Sequence, residues 1–161
     1  MGRNVYRGAS MFTVFDTERH MGAVLVVDDE VTVLEATTAM LSASGYDTYP
    51  ARSSADALQA LARHPAIDVV VADVTLAGDD SGVLLARRLA HSAWPGALVL
   101  VSGDSEAGLH TEDRPPHSLF LAKPYSRRTL LHAIDHARQL GKQPAAAPGN
   151  PRPPGAPARQ P

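Results

Sequence analysis

The chain has 161 residues, with 15 Lys and Arg against 17 Asp and Glu, 44% hydrophobic residues and no Cys. That length supports one domain of ordinary size, and the near balance of charge fits neither a disordered chain nor a nucleic-acid binder. The lack of Cys excludes disulfide scaffolds, thiolate zinc sites and thiol nucleophiles together. The longest apolar runs, such as residues 69–72 and 97–101, are too short to span a bilayer, and no secretory-type apolar stretch follows the first basic residues. A soluble, cytoplasmic, single-domain protein is expected.

Three zones differ in composition. Residues 141–161 contain 7 Pro, 3 Gly and 5 Ala with no apolar period, so this stretch reads as a disordered Pro/Ala-rich tail. Residues 1–21 read as an N-terminal extension, in which Phe12, Val14 and Phe15 could dock. The patterned domain spans residues 22–140. Over residues 21–140 there are 9 Lys and Arg against 15 Asp and Glu, a charge of −6.

Within the domain, strand-like and helix-like segments alternate. Residues 23–27 form an apolar run that stops at Asp28-Asp29. Residues 30–44 then place Leu34 and Leu41, and Val33 and Met40, at helical spacing, with Gly45 as the stop. A short strand over 46–49 precedes a helix capped by Ser53 or Ser54, with Leu58, Leu61 and Ala62 on its apolar side. A β-branched strand over 68–72 stops at Asp73. A helix over 81–90 sets Leu85 and Leu89 one turn apart and is broken by Trp94-Pro95-Gly96. Strands over 97–101 and 119–122 end at Ser102-Gly103 and Lys123-Pro124. Between them, residues 104–117 contain Gly108, Pro115 and Pro116 and admit at most a short helix. Ser126 caps a final helix with Leu130, Ile134 and Ala137 on one face. Strands without polar alternation, separated by amphipathic helices, predict a doubly wound α/β sandwich on a parallel sheet.

In such a sheet the chemistry collects beyond the carboxyl ends of the strands. Four of the five predicted strands end in a reactive polar group: Asp28 and Asp29, Asp73, Ser102, and Lys123. Three neighbouring carboxylates repel one another, and a hard divalent ion with oxygen ligands relieves the repulsion. A Lys and a hydroxyl opposite that ion can bind the other oxygens of a phosphoryl group. The set suits a transferable phosphate with one Asp as covalent acceptor. The His132 and His136 pair, at i and i+4, reads as a solvent-facing helix surface rather than a metal site.

With these residues in place, the chain resembles the receiver domains of two-component response regulators. The resemblance covers about residues 22–140 and rests on Val-Val-Asp28-Asp29-Glu30, Val-Ala-Asp73-Val, Val-Ser102-Gly103 and Leu-Ala-Lys123-Pro124-Tyr125. It implies a flavodoxin-like (βα)5 fold with strand order 2-1-3-4-5. It also implies phosphorylation of Asp73 by a sensor histidine kinase or a histidine phosphotransfer protein. Mg²⁺ is then implied on Asp28, Asp29, Asp73 and the backbone carbonyl of Thr75. Lys123 would bind the phosphate, and Ser102 and Phe120 would be the switch hydroxyl and aromatic. The implied partners are the phosphodonor and a downstream protein target, with a homodimer as a further form, and neither nucleic acid nor membrane. The protein would be no enzyme beyond its own phosphorylation and dephosphorylation.

The loop after Asp73 departs from the common pattern. Ala77 stands where Pro is usual, and Gly82 follows a loop one residue longer, as in receivers attached to hybrid kinases. Asp79 and Asp80 in that loop add negative charge expected to lie beside the site. A second reading is a phosphorylation-independent interaction module with the same fold. A dehalogenase-type hydrolase would need an Asp two residues after Asp73, where Thr75 stands.

Overall fold

The apolar runs need partners on both faces, and the fold supplies them with a five-stranded parallel sheet in the order β2-β1-β3-β4-β5. A computed structural model describes residues 21–103, 115 and 118–142. In chain order the elements are β1 (Ala23–Val27), α1 (Val31–Ser42), β2 (Asp47–Ala51), α2 (Ser54–Arg63) and β3 (Ile67–Asp73). They continue with α3 (Gly82–His91), β4 (Ala97–Ser102), β5 (Ser118–Ala122) and α4 (Arg127–Lys142). The fold class and strand order are those expected.

Alternate residues of each central strand feed two cores. Leu25, Val27, Val70, Ala72, Leu98 and Leu100 pack with Ala57, Leu85 and Leu89 of α2 and α3. Val24, Val26, Val69, Val71, Val99 and Val101 pack with Leu34 and Leu41 of α1 and Leu130, Ile134 and Ala137 of α4. Both faces of β1, β3 and β4 are thus closed to water, which is why their sequences show no polar alternation. Helix α1 ends in a Schellman turn, with Tyr46 N–H on the Leu41 carbonyl and Gly45 N–H on that of Ser42. Gly45 takes φ +90° there, a left-handed value that costs glycine nothing.

Some expectations shift. Ser53, rather than Ser54, caps α2 by accepting the Asp56 N–H at 3.1 Å. Ala62, expected on the apolar side of α2, faces solvent, because Ala57 with Leu58 and Leu61 already makes that helix's contact with the sheet. Helix α4 runs to Lys142, past the expected start of the tail at 141. Gly141 costs a helix only about 1 kcal/mol, and a face as well anchored as that of Leu130, Ile134 and Ala137 carries the helix through it. The expected short helix over 104–117, the N-terminal residues to 20 and the tail from 143 lie outside the described residues, Pro115 excepted.

Candidate functional site

Parallel register brings the strand ends together. Val27 pairs with Ala72, so Asp28 and Asp73 follow side by side; Asp73 pairs with Val101, next to Ser102, and Ser102 pairs with Ala122, next to Lys123. Residues 95 positions apart in the chain meet within one hydrogen bond. The Lys123 Nζ donates to Asp28 Oδ2 at 3.1 Å and to Asp73 Oδ2. The lysine backbone is fixed as well, its N–H donating to the Ser102 carbonyl at 2.7 Å.

The two carboxylates are held by the backbone at their other oxygens. Asp28 Oδ1 accepts the Glu30 N–H at 2.9 Å, and Asp73 Oδ1 accepts the Thr75 N–H at 2.8 Å. Asp28 is only 5% exposed, so its charge needs the ammonium it meets. Burial alone would pull the Lys123 pKa down. The hydrogen bonds and charges of Asp73 and Asp28 outweigh burial and raise it above the ordinary 10.5. Lys123 is therefore a firm cation.

Asp29 is half-buried, and its backbone carbonyl accepts Arg52 at 3.4 Å. Among the described residues no group of three His, Cys, Asp or Glu stands close enough to hold a metal ion. Lys123 bridges Asp28 and Asp73. The chemistry of the donor set nevertheless suits a hard divalent cation: Asp28, Asp29 and Asp73 would supply carboxylate oxygens, and one ammonium would leave them a net negative charge. Phe120 lies half-buried against the α2–α3 core beside Leu100, and Ser102 is half-buried at the end of β4. His132 and His136 are exposed, with ring centroids 6.4 Å apart.

The two acidic residues of the loop differ in their surroundings. Asp80 is engaged at the start of α2, where it accepts the Ser54 N–H at 2.7 Å and the Ser54 hydroxyl at 2.5 Å. Only Asp79 remains exposed. Sequence reasoning missed this role and also the contact made by Tyr125, whose hydroxyl lies 2.8 Å from that of the buried Thr37 on α1. A Thr on the buried side of a helix was the one available hint.

Five parallel strands in this order, with Asp, Asp and Lys converging at their carboxyl ends, define a class. The chain belongs to the response regulator receiver domain family, whose model matches residues 24–135, and so to two-component signalling. It is similar to Protein PilH of Pseudomonas aeruginosa, with 31% identity over 118 residues covering 71% of this chain and 96% of PilH. Among solved structures it is similar to a response regulator receiver protein from Sinorhizobium medicae WSM419. Identity there is 26% and the TM-score 0.66, over 74% of this chain and 96% of that one. A sensor protein from Polaromonas sp. JS666 gives the same identity and TM-score over 75% and 98%. No described helix is long and apolar enough to cross a membrane.

Proposed function

We propose that this receiver accepts a phosphoryl group on Asp73 from a phosphohistidine of a sensor histidine kinase or a histidine phosphotransfer protein. The observation that carries this reading is the single ammonium of Lys123 held between Asp28 and Asp73 at the strand ends. A carboxylate oxygen of Asp73 attacks phosphorus in line. The phosphorus–nitrogen bond of the donor breaks, and its electron pair returns to the imidazole, which takes up a proton. Negative charge then moves outward from the Asp73 carboxylate to the phosphoryl oxygens, and the ammonium of Lys123 follows it. The Thr75 N–H keeps the Asp73 carboxylate oriented for the attack.

Asp28, Asp29, Asp73 and the Thr75 carbonyl would hold Mg²⁺, which when bound offsets the charge that builds on the phosphoryl oxygens. After transfer, the Ser102 hydroxyl moves toward the phosphate and Phe120 moves inward. Those movements bias an existing equilibrium at the surface formed by β5 and α4. A cytoplasmic protein target reads that surface, and the chain turns over no substrate besides its own phosphoaspartate. The test is incubation with acetyl phosphate and Mg²⁺, followed by intact-mass measurement. One phosphoryl group is expected on the wild type, and none with EDTA or in Asp73→Asn. Equal incorporation in wild type and Asp73→Asn would overturn the reading.

A further inference from the structure

The loop from β3 to α3 holds a carboxylate that phosphoryl acceptance does not use. Asp80 collects three hydrogen bonds: the Ser54 N–H and hydroxyl, and the N–H of Ser81 at 2.9 Å. Ser54 is the first residue of α2 and only 2% exposed, so the bond reaches from the loop into a buried helix start. A negative charge there also meets the positive end of the α2 dipole.

Ser81 in turn anchors the other side of the loop. It forms an antiparallel bridge with Thr75, and its hydroxyl caps α3 by accepting the Leu84 N–H at 3.1 Å. The next residue, Gly82, donates to the Val74 carbonyl at 3.2 Å. Leu76, 4% exposed, pins the turn into the core below. One line of contacts therefore runs from α2 through Asp80, Ser81 and Thr75 to the Asp73 carboxylate.

We propose that Asp80 is a positioning residue for the metal-binding side of this site. By holding Ser81 against α2 it fixes the Thr75 turn, whose N–H orients Asp73 and whose carbonyl would be the backbone donor to Mg²⁺. The inference rests on the phosphoacceptor reading above. Asp80 touches neither phosphate nor metal; it acts through Ser81 and Thr75. Its neighbour Asp79 carries the same charge in the same loop and is exposed, which separates position from charge.

The test is calorimetric titration of the full chain with MgCl₂, at a temperature where circular dichroism shows each variant folded. Asp80→Asn and Ser54→Ala are expected to weaken Mg²⁺ binding roughly tenfold, the low end for losing a group that supports a metal ligand. Asp79→Asn should stay within about twofold, since an exposed charge is screened. In amide NMR spectra the Thr75 N–H signal should move in Asp80→Asn and stay in place in Asp79→Asn. If Asp80→Asn and Ser54→Ala melt earlier but bind Mg²⁺ as the wild type does, Asp80 is a helix cap only and the inference is overturned. Equal weakening by Asp79→Asn and Asp80→Asn overturns it too, as a charge effect. If Asp80→Asn does not fold, Ser54→Ala decides alone, because it keeps every charge. Absence of binding by the wild type would defeat the metal-site reading, and the inference with it.

Discussion

Lys123 answers two carboxylates with one charge, and its raised pKa has a definite consequence for stability. A group whose pKa rises on folding contributes stability that is complete below its ordinary value and fades only as pH climbs through the higher folded value. The Lys123 pairing therefore stays intact up to and beyond pH 10.5. Replacing Lys123 by Met leaves Asp28 and Asp73 facing each other. Breaking a fully buried pair costs about 3–5 kcal/mol, and partial exposure of Lys123 reduces this to about 1–3 kcal/mol. Urea denaturation in EDTA should show that loss, and Mg²⁺ should restore part of it; unchanged stability in EDTA would contradict the pairing. Asp80 shows the opposite sign. Burial would raise its pKa, but the Ser54 and Ser81 hydrogen bonds and the charge of Arg88 outweigh burial and bring it below 3.8. Its contribution is present above that pH and lost as pH falls through the lower folded value. Thermal melts below about pH 4 should therefore fall more steeply with acid for the wild type than for Asp80→Asn. Parallel curves would contradict the hydrogen bonding of Asp80 to Ser54 and Ser81.

The elements that build the site were the most legible part of the sequence. Strands β1, β3 and β4 are buried on both faces, so their runs of Val, Leu and Ala mark them without ambiguity. Because each run stops at a polar residue, Asp28, Asp73, Ser102 and Lys123 could be read as one constellation. Asp80 could not be read this way. It sits beside Asp79 in an irregular loop, and only the packing of α2, 26 residues earlier in the chain, decides which carboxylate turns inward. The Thr37–Tyr125 pair, 88 residues apart, was hidden for the same reason. Gly82 lies tight against the end of β3. A Cβ there would lie 2.2 Å from the Asp73 carbonyl oxygen, so α3 starts against β3 only because this residue has none. Gly82→Ala should destabilise by about 1–3 kcal/mol, the usual range for overpacking. It should also slow phosphorylation of Asp73, because the backbone that must yield carries the acceptor. A variant as stable and as reactive as the wild type would contradict this packing. Tyr125→Phe strands the buried Thr37 hydroxyl and should cost about 1–2 kcal/mol in denaturant titrations. No loss of stability would mean that the hydroxyl pair contributes nothing.

For the molecule as a whole, the opposite end of the sheet is closed by ordinary structural contacts. Arg138 of α4 makes two hydrogen bonds to Asp68, each 3.0 Å, a third to the Met21 carbonyl, and lies over the Tyr46 ring. Asp68 is free to serve because the β1–β3 register slips beside it. The Asp28–Lys123–Asp73 cluster stands at the other end. The balanced charge of the whole chain conceals an acidic domain of −6, part of which is the strand-end site. The central claim is that Asp73 carries the phosphoryl group, and its chemistry offers a direct check. Borohydride reduces an acyl phosphate to an alcohol, converting a phosphorylated aspartate to homoserine. After reaction with acetyl phosphate and Mg²⁺, borohydride treatment and peptide mass mapping should find homoserine at position 73 and nowhere else. Homoserine at position 28 or 29, or at no position in a chain that has gained phosphate, would contradict the account.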